Sequence, residues 1–170
     1  MITSHISGDK IISTSPDAFS LYEKSRFGEK SENKIEYSFV EVLFLLSQNK
    51  IQVLSNKKLV SYENLAKKAK KADKKLDVKL AVFADLRKKG YIVKTALKFG
   101  AEFRVYKKGV KPGQDHAAWL LYPVKEHDNL TWYDFAAKNR VATSTKKNLL
   151  IAIIDEESDV TYYEIGWKKL

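Results

Sequence analysis

Three side chains in this sequence have the types needed for acid–base chemistry without a metal: Tyr106, His116 and Lys147. The stretch 98–116 carries the first two, with Pro112 and Gly113 in the polar loop between them, and Lys147 stands just before the apolar run that opens at Leu149. An RNA phosphodiester carries its own nucleophile. A base takes the 2′-hydroxyl proton, the oxygen attacks the adjacent phosphorus, and an acid protonates the departing 5′-oxygen. A fixed cation then stabilises the extra charge on the pentacoordinate phosphorus. An imidazole ordinarily titrates near ~6.5, so His116 suits the acid. Lys147 suits the cation. Tyr106 is left as the base, a role that needs cations to lower a phenol's ordinary pKa of about 10; Lys107, Lys108 and Lys147 are the candidates for that.

Each side chain also has a plainer reading. Tyr106 at a strand end would pack and leave its hydroxyl wet, His116 would close a glycine-containing loop, and Lys147 would cap a helix or face solvent. No spacing rule makes a tyrosine nine residues ahead of a histidine diagnostic. From the residues alone the reading stops at an α/β protein that binds RNA.

Composition narrows the class. A chain of 170 residues with 44% hydrophobic content can fold as one compact domain or two small ones. No apolar run approaches the roughly 18–20 residues of a membrane span and the N-terminus has no signal-peptide pattern, so a soluble, cytoplasmic protein is expected. There is no cysteine, which excludes disulfides and thiolate metal sites. His5, His116 and His127 lack the short spacings of a zinc or iron site, so no metal and no cofactor are expected. The net charge is +10, with 14 Lys and Arg against 9 Asp and Glu through Lys75 and 17 against 12 after it. An excess spread so evenly favours a polyanionic partner such as nucleic acid. A lysine-rich surface kept for solubility or heat tolerance would give the same count.

The elements that must position these groups follow from periodicity. Residues 2–6 and 10–13 read as strands joined at Gly8-Asp9, Ser15-Pro16-Asp17 as a break, 19–27 as a helical turn ending at Gly28, and 29–34 as a polar loop. Ser38 and Glu41 form a capping box before a helix that is apolar on most faces, which predicts burial. A short strand is expected at 51–54, a turn at 56–58 and a helix from Ser61. Lys67, Lys68, Lys70, Lys71, Lys74 and Lys75 form that helix's polar face. This run could touch RNA phosphate, but a solvated face is the plainer reading. Residues 77–89 read as a helix ended by Gly90. Strands follow at 91–97, 102–106 and 119–123, with the chain restarting as a strand at His116 after the loop. A helix is expected from Thr131 through Ala137, a buried strand at 148–155, and a partner strand at 160–167 across the acidic turn Glu156-Glu157-Ser158-Asp159. The fold class is α/β (α+β) in two small lobes. Residues 1–75 form a mixed α/β lobe, and residues 76–170 a lobe whose central mixed sheet is flanked by helices.

Two motif groups carry a resemblance. Arg87-Lys88-Lys89-Gly90-Tyr91-Ile92-Val93-Lys94 runs into Lys98-Phe99-Gly100-Ala101-Glu102-Phe103-Arg104-Val105-Tyr106, and Arg140-Val141-Ala142 is followed by Ser144, Lys146-Lys147 and the run from Leu149 to Asp155. In order and spacing these resemble the archaeal tRNA-splicing endonucleases of short-subunit type, and cover most of the C-terminal lobe. The resemblance implies a nuclease-like C-terminal lobe. It implies Tyr106 as general base, His116 as general acid and Lys147 as transition-state cation. The substrate implied is intron-containing precursor tRNA, cut at both splice sites within a bulge–helix–bulge, with no metal and with 2′,3′-cyclic phosphate and 5′-hydroxyl products.

The resemblance also implies four-subunit assembly: a homotetramer, or a heterotetramer in which this chain is the catalytic subunit beside a structural one. Asp155, Glu156, Glu157 and Asp159 match the loop that docks into a neighbour's basic groove, and 162–167 match the dimer-forming edge. Arg140 fits the first of two arginines that clamp a bulge base, but no arginine follows it, only Lys168 and Lys169, and lysine stacks less well than a guanidinium. Lys107 and Lys146 are further candidates for RNA contact. A non-catalytic RNA-binding or assembly subunit would be expected to have lost the three chemical residues. A metal-dependent DNA nuclease would need acids clustered near a lysine, and the acids near Lys147 sit beyond the strand in the turn, which is poor placement for that.

Overall fold

The computed structural model describes residues 1–8 and 10–170, so the turn expected through Asp9 lies outside the described residues. The chain divides into two units, Met1–Leu80 and Ala81–Leu170. Each is built on a mixed sheet with helices.

The first unit contains β1 (Ile2–Ser7), β2 (Lys10–Ser13), α1 (Pro16–Ser25), β3 (Glu29–Ser31), β4 (Lys34–Tyr37), α2 (Phe39–Ser47), β5 (Ile51–Ser55), β6 (Lys58–Leu59) and α3 (Tyr62–Ala72). The sheet order is β3-β4-β2-β1-β5-β6. β1 runs parallel to β5 and every other pair is antiparallel. Two expectations change near the start. The Ser15-Pro16-Asp17 break opens α1 instead, because proline in a first turn lacks only an N–H that the helix does not use. The polar stretch 29–34 forms most of the β3–β4 hairpin. Its residues are solvent-facing on an edge strand, so their composition resembles that of a loop.

Gly28 sits at φ 76°, and a Cβ there would lie 2.4 Å from Ile35 Cγ2. Both the dihedral and the close approach require glycine. Its N–H donates to the buried Glu41 carboxylate at 2.8 Å. The same carboxylate accepts from the Ser38 N–H at 3.0 Å, and the Ser38 side chain accepts from the Glu41 amide. The capping box is therefore tied to the bend that leads into β3. α2 buries Val42, Leu43 and Leu45.

The second sheet has β7 (Ile92–Thr95), β8 (Phe103–Tyr106), β9 (Trp119–Lys125), β10 (Asn148–Ile154) and β11 (Val160–Ile165), in the order β11-β10-β9-β8-β7. Ahead of it lies α4 (Leu76–Lys88), within which the division between units falls. β9 and β10 are parallel, joined by the crossover helix α5 (Trp132–Ser144). That helix continues well past the expected Ala137. Asn139, Val141 and Thr143 are poor helix formers, but the turn they share with Ala142 packs Ala142 at full burial, and packing outweighs propensity.

Leu120, Tyr122, Leu149 and Ile151 form the core under α5, together with Ala96, Ala101 and Ala142. On the opposite face Phe83 of α4 meets Phe103 at 5.9 Å between ring centroids. Leu120 and Leu149 are completely buried, and truncating such a leucine to alanine costs about 2–5 kcal/mol. No helix among the described residues is long and apolar enough to cross a membrane.

Candidate active site

Alternation along β8 puts Arg104 and Tyr106 on one face and Phe103 and Val105 on the other, where Phe103 meets α4. Tyr106 is 5% exposed. Its backbone and ring are therefore fixed by packing. After it the chain makes two tight turns. Lys107 C=O accepts from Val110 N–H at 3.0 Å with Gly109 at φ 82°, and Lys111 C=O accepts from Gln114 N–H at 3.0 Å across Pro112 and Gly113, the latter at φ 91°. Proline second and a left-handed glycine third make a type II turn. The loop ends at His116, whose N–H donates to its neighbour Asp115 at 2.7 Å. His116 is exposed and precedes the strand, which starts at Trp119, contrary to the expectation that the strand restarts at the histidine. With no ladder bonds of its own, the imidazole is displayed on a loop.

Lys147 is positioned by the end of α5. Thr145 caps that helix and Lys146 follows at φ 57°. Lys146 N–H donates to Thr143 C=O at 3.0 Å, and Lys147 N–H to Ala142 C=O at 2.9 Å. This is a Schellman motif with a lysine where glycine is usual, a left-handed strain of roughly 1 kcal/mol. Lys147 Nζ donates to Thr145 C=O at 2.9 Å and lies 5.6 Å from the Phe99 ring centroid. The ammonium thus uses one of its three protons on a helix-end carbonyl.

Tyr106, His116 and Lys147 line one cleft of about 350 Å³, with Phe99, Arg104, Gln114, Asp115 and Ala117. That is near the lower end of the range for small-molecule sites, roughly 300–1,000 Å³. Arg104 is a second cation in this wall that sequence reasoning missed; its place two residues before Tyr106 on a strand was the available signal.

The other expected site residues lie elsewhere. Arg140 is exposed on α5 and lines no part of the cleft. Lys107 and Lys146 are exposed neighbours of cleft residues, and the Lys107 charge acts on Glu164. Asp155, Glu156, Glu157 and Asp159 form the β10–β11 turn. Asp159 N–H donates to Asp155 Oδ1 at 2.8 Å, and Ser158 stands at φ 69°. At this end of the sheet His127 Nε2 lies 3.1 Å from Glu156 Oε1 and 3.6 Å from Glu126 Oε1. These three exposed side chains are grouped closely enough to hold a metal ion. Sequence spacing gave no sign of them, because β9 and β10 must be parallel neighbours for their ends to meet.

Residues 2–66 match the family model described as tRNA intron endonuclease, N-terminal domain, and residues 76–162 match tRNA intron endonuclease, catalytic C-terminal domain. The chain belongs to the tRNA intron endonuclease family. It is 40% identical over 170 residues to a tRNA-splicing endonuclease of Thermococcus kodakarensis, covering 99% of each chain. It is 41% identical over 165 residues to that of Thermococcus onnurineus, covering 96% of this chain and 95% of the relative. With that of Methanothermobacter thermautotrophicus it shares 35% over 162 residues, 94% of each. The family's catalytic-domain match contains the whole cleft, from Phe99 to Lys147.

Proposed function

We propose that this chain is a tRNA-splicing endoribonuclease that cuts precursor tRNA at both intron boundaries, within a bulge–helix–bulge, leaving 2′,3′-cyclic phosphate and 5′-hydroxyl ends. The observation that carries the reading is the common cleft of Tyr106, His116 and Lys147 in a chain of this family. The Tyr106 oxygen, as phenolate, takes the 2′-hydroxyl proton. The 2′-oxygen then bonds to phosphorus as the bond from phosphorus to the 5′-oxygen breaks. The His116 imidazolium gives its proton to that 5′-oxygen, and Lys147 holds the charge gathering on the non-bridging oxygens. Catalysis by these three groups needs no metal. Arg104 adds positive charge to the same wall, which favours the phosphate.

We extend the reading to assembly. One chain carries one such cleft among the described residues, whereas the substrate has two cuts at a fixed separation, so two copies acting together would place one cleft at each cut. We assign the acidic turn 155–159 to docking between subunits of a homotetramer, with a heterotetramer containing a structural subunit as the other arrangement. Arg140, Lys107 and Lys146 are assigned to RNA contact around the cleft, read by shape and extruded bases and not by a sequence code. The test is incubation of a bulge–helix–bulge RNA with the purified protein in excess EDTA. Both cuts are expected, with cyclic phosphate on the upstream fragment. An absolute requirement for added magnesium would remove the three-residue mechanism.

A further inference from the structure

We propose that the outward face of α3, with the turn after it, binds the phosphate backbone of the substrate RNA at phosphates other than the one that is cut. The choice of RNA rests on the functional reading above. The surface itself rests on its own observations. α3 buries Leu65 and Ala69. At about 100° per residue, Lys67, Lys70 and Lys71 then point into the opposite half of the helix surface. Lys68 flanks them, its Nζ donating to Gly8 C=O at 3.3 Å. Lys74 and Lys75 extend the row through the turn into α4. Six of the nine residues from Lys67 to Lys75 are lysines, and all six are exposed.

The nearby carboxylates leave most of this charge uncompensated. Asp77 pairs with Lys70. Asp73 is taken by Lys79 Nζ at 2.6 Å and by the Lys75 backbone N–H at 2.9 Å. Lys67, Lys71, Lys74 and Lys75 have no ion-pair partner among the described residues. Four other cations of the same unit are matched. Lys10 and Lys34 share Glu36, and Arg26 and Lys30 share Glu23. Folding does not favour the α3 arrangement: like charges at i,i+3 and i,i+4 repel. A helix dipole rewards cations in the last turn, which covers Lys70 and Lys71 but not the rest. The row also lacks the chemistry of a protein interface, whose contact residues are depleted in lysine. Hydrated point charges on flexible stems suit phosphates, which set no demand on donor geometry. The row falls between the two stretches matched by the family models, and the cleft residues all belong to the other unit.

The test replaces Lys67, Lys71, Lys74 and Lys75 together with glutamine in the full chain and measures binding by fluorescence anisotropy across a salt series. Two RNAs serve as probes, an intron-containing precursor tRNA and a short RNA holding only the bulge–helix–bulge. Precursor affinity is expected to fall roughly tenfold at physiological salt, and the log–log salt slope to become shallower by about 2–4, the contribution of that many phosphates. Affinity for the short RNA is expected to stay within about twofold, as is kcat on saturating precursor, and four arginines at the same positions are expected to restore precursor binding. Unchanged precursor affinity and slope in a folded glutamine variant would overturn the proposal, as would equal losses on both RNAs. A fall in assembly mass with RNA affinity intact would assign the helix to a protein contact and overturn it too. A wild-type protein that shows the α3-dependent slope yet cuts no bulge–helix–bulge would remove the cleavage reading and leave this one standing.

Discussion

At one end of the second sheet, where β9 and β10 begin, Lys107, Lys108, Lys111, Lys146 and Lys147 lie on the segments around His116; at the other end, Glu126, Asp128, Asp155, Glu156, Glu157 and Asp159 are gathered on two turns. The seven residues of β10 separate these ends by roughly 20 Å. Both ends are made by the same parallel pair, yet they treat charge differently. At the basic end one ammonium is held by a helix-end carbonyl and faces a cleft. At the acidic end the carboxylates point outward, and their local partners are chiefly backbone amides and His127: Glu126 accepts from the Glu156 amide at 3.1 Å and Asp155 from the Asp159 amide at 2.8 Å. Fixed charge in a concave wall suits catalysis, whereas outward charge on a hairpin tip suits a second protein surface.

The comparison breaks most visibly at the basic end. His116→Ala is expected to lower kcat on a bulge–helix–bulge RNA by about 10²–10⁴-fold, and Lys147→Ala by about 10²–10³-fold. Affinity for the uncut RNA should stay within about threefold in each, checked by single-turnover kinetics beside anisotropy. Equal losses in binding and in cutting would reduce these residues to substrate grip. At the acidic end the combined change Asp155→Asn, Glu156→Gln, Glu157→Gln and Asp159→Asn is expected to leave the fold intact and shift the mass measured by light scattering from that of the proposed tetramer towards that of a dimer. An unchanged mass would remove the turn from assembly.

The smallest effect concerns the lone acid of β11 near the basic end. Glu164 accepts a hydrogen bond from Asn148 Nδ2 at 2.6 Å, and that bond, with another from Trp119, holds its carboxyl below the ordinary range. A carboxylate with a depressed folded pKa contributes stability above its unfolded value of about 4.3, and that contribution is lost as pH falls towards the folded value. The Tm of the wild type should therefore fall more between pH 6 and pH 3 than that of Glu164→Gln. Parallel acid limbs would show that these bonds contribute nothing to stability.

Much of the fold was legible because its signals are local. The capping box of α2 lies within four residues, and β8 and β10 show their period or their unbroken apolar run directly. The misreadings have local causes too. β3 is polar and exposed at all three residues, so it has no hydrophobic alternation to read, and the hairpin's only alternation lies in β4 at Ile35 and Tyr37. The second half of α5 has weak helix propensity and is kept helical by the burial of Ala142. Beyond its place two residues before Tyr106, nothing local in β8 marks Arg104 as a site residue; the cleft on that face does.

For the candidate site the division is sharper. The sequence by itself determined which chemistries are available: a phenol before a type II turn, an imidazole after it, and a lysine where a helix gives way to a strand. Only the tertiary structure decided that the lysine joins the other two. That meeting depends on the parallel pairing of β9 with β10 in the register Trp119 to Asn148 and on the antiparallel pairing of Val105 with Trp119. Because side chains alternate faces with a period of two, a slip of one residue in either pairing would turn the strand's core residues outward and break the common wall. Register between strands far apart in the chain is set by burial across the whole sheet, which no short stretch of sequence contains.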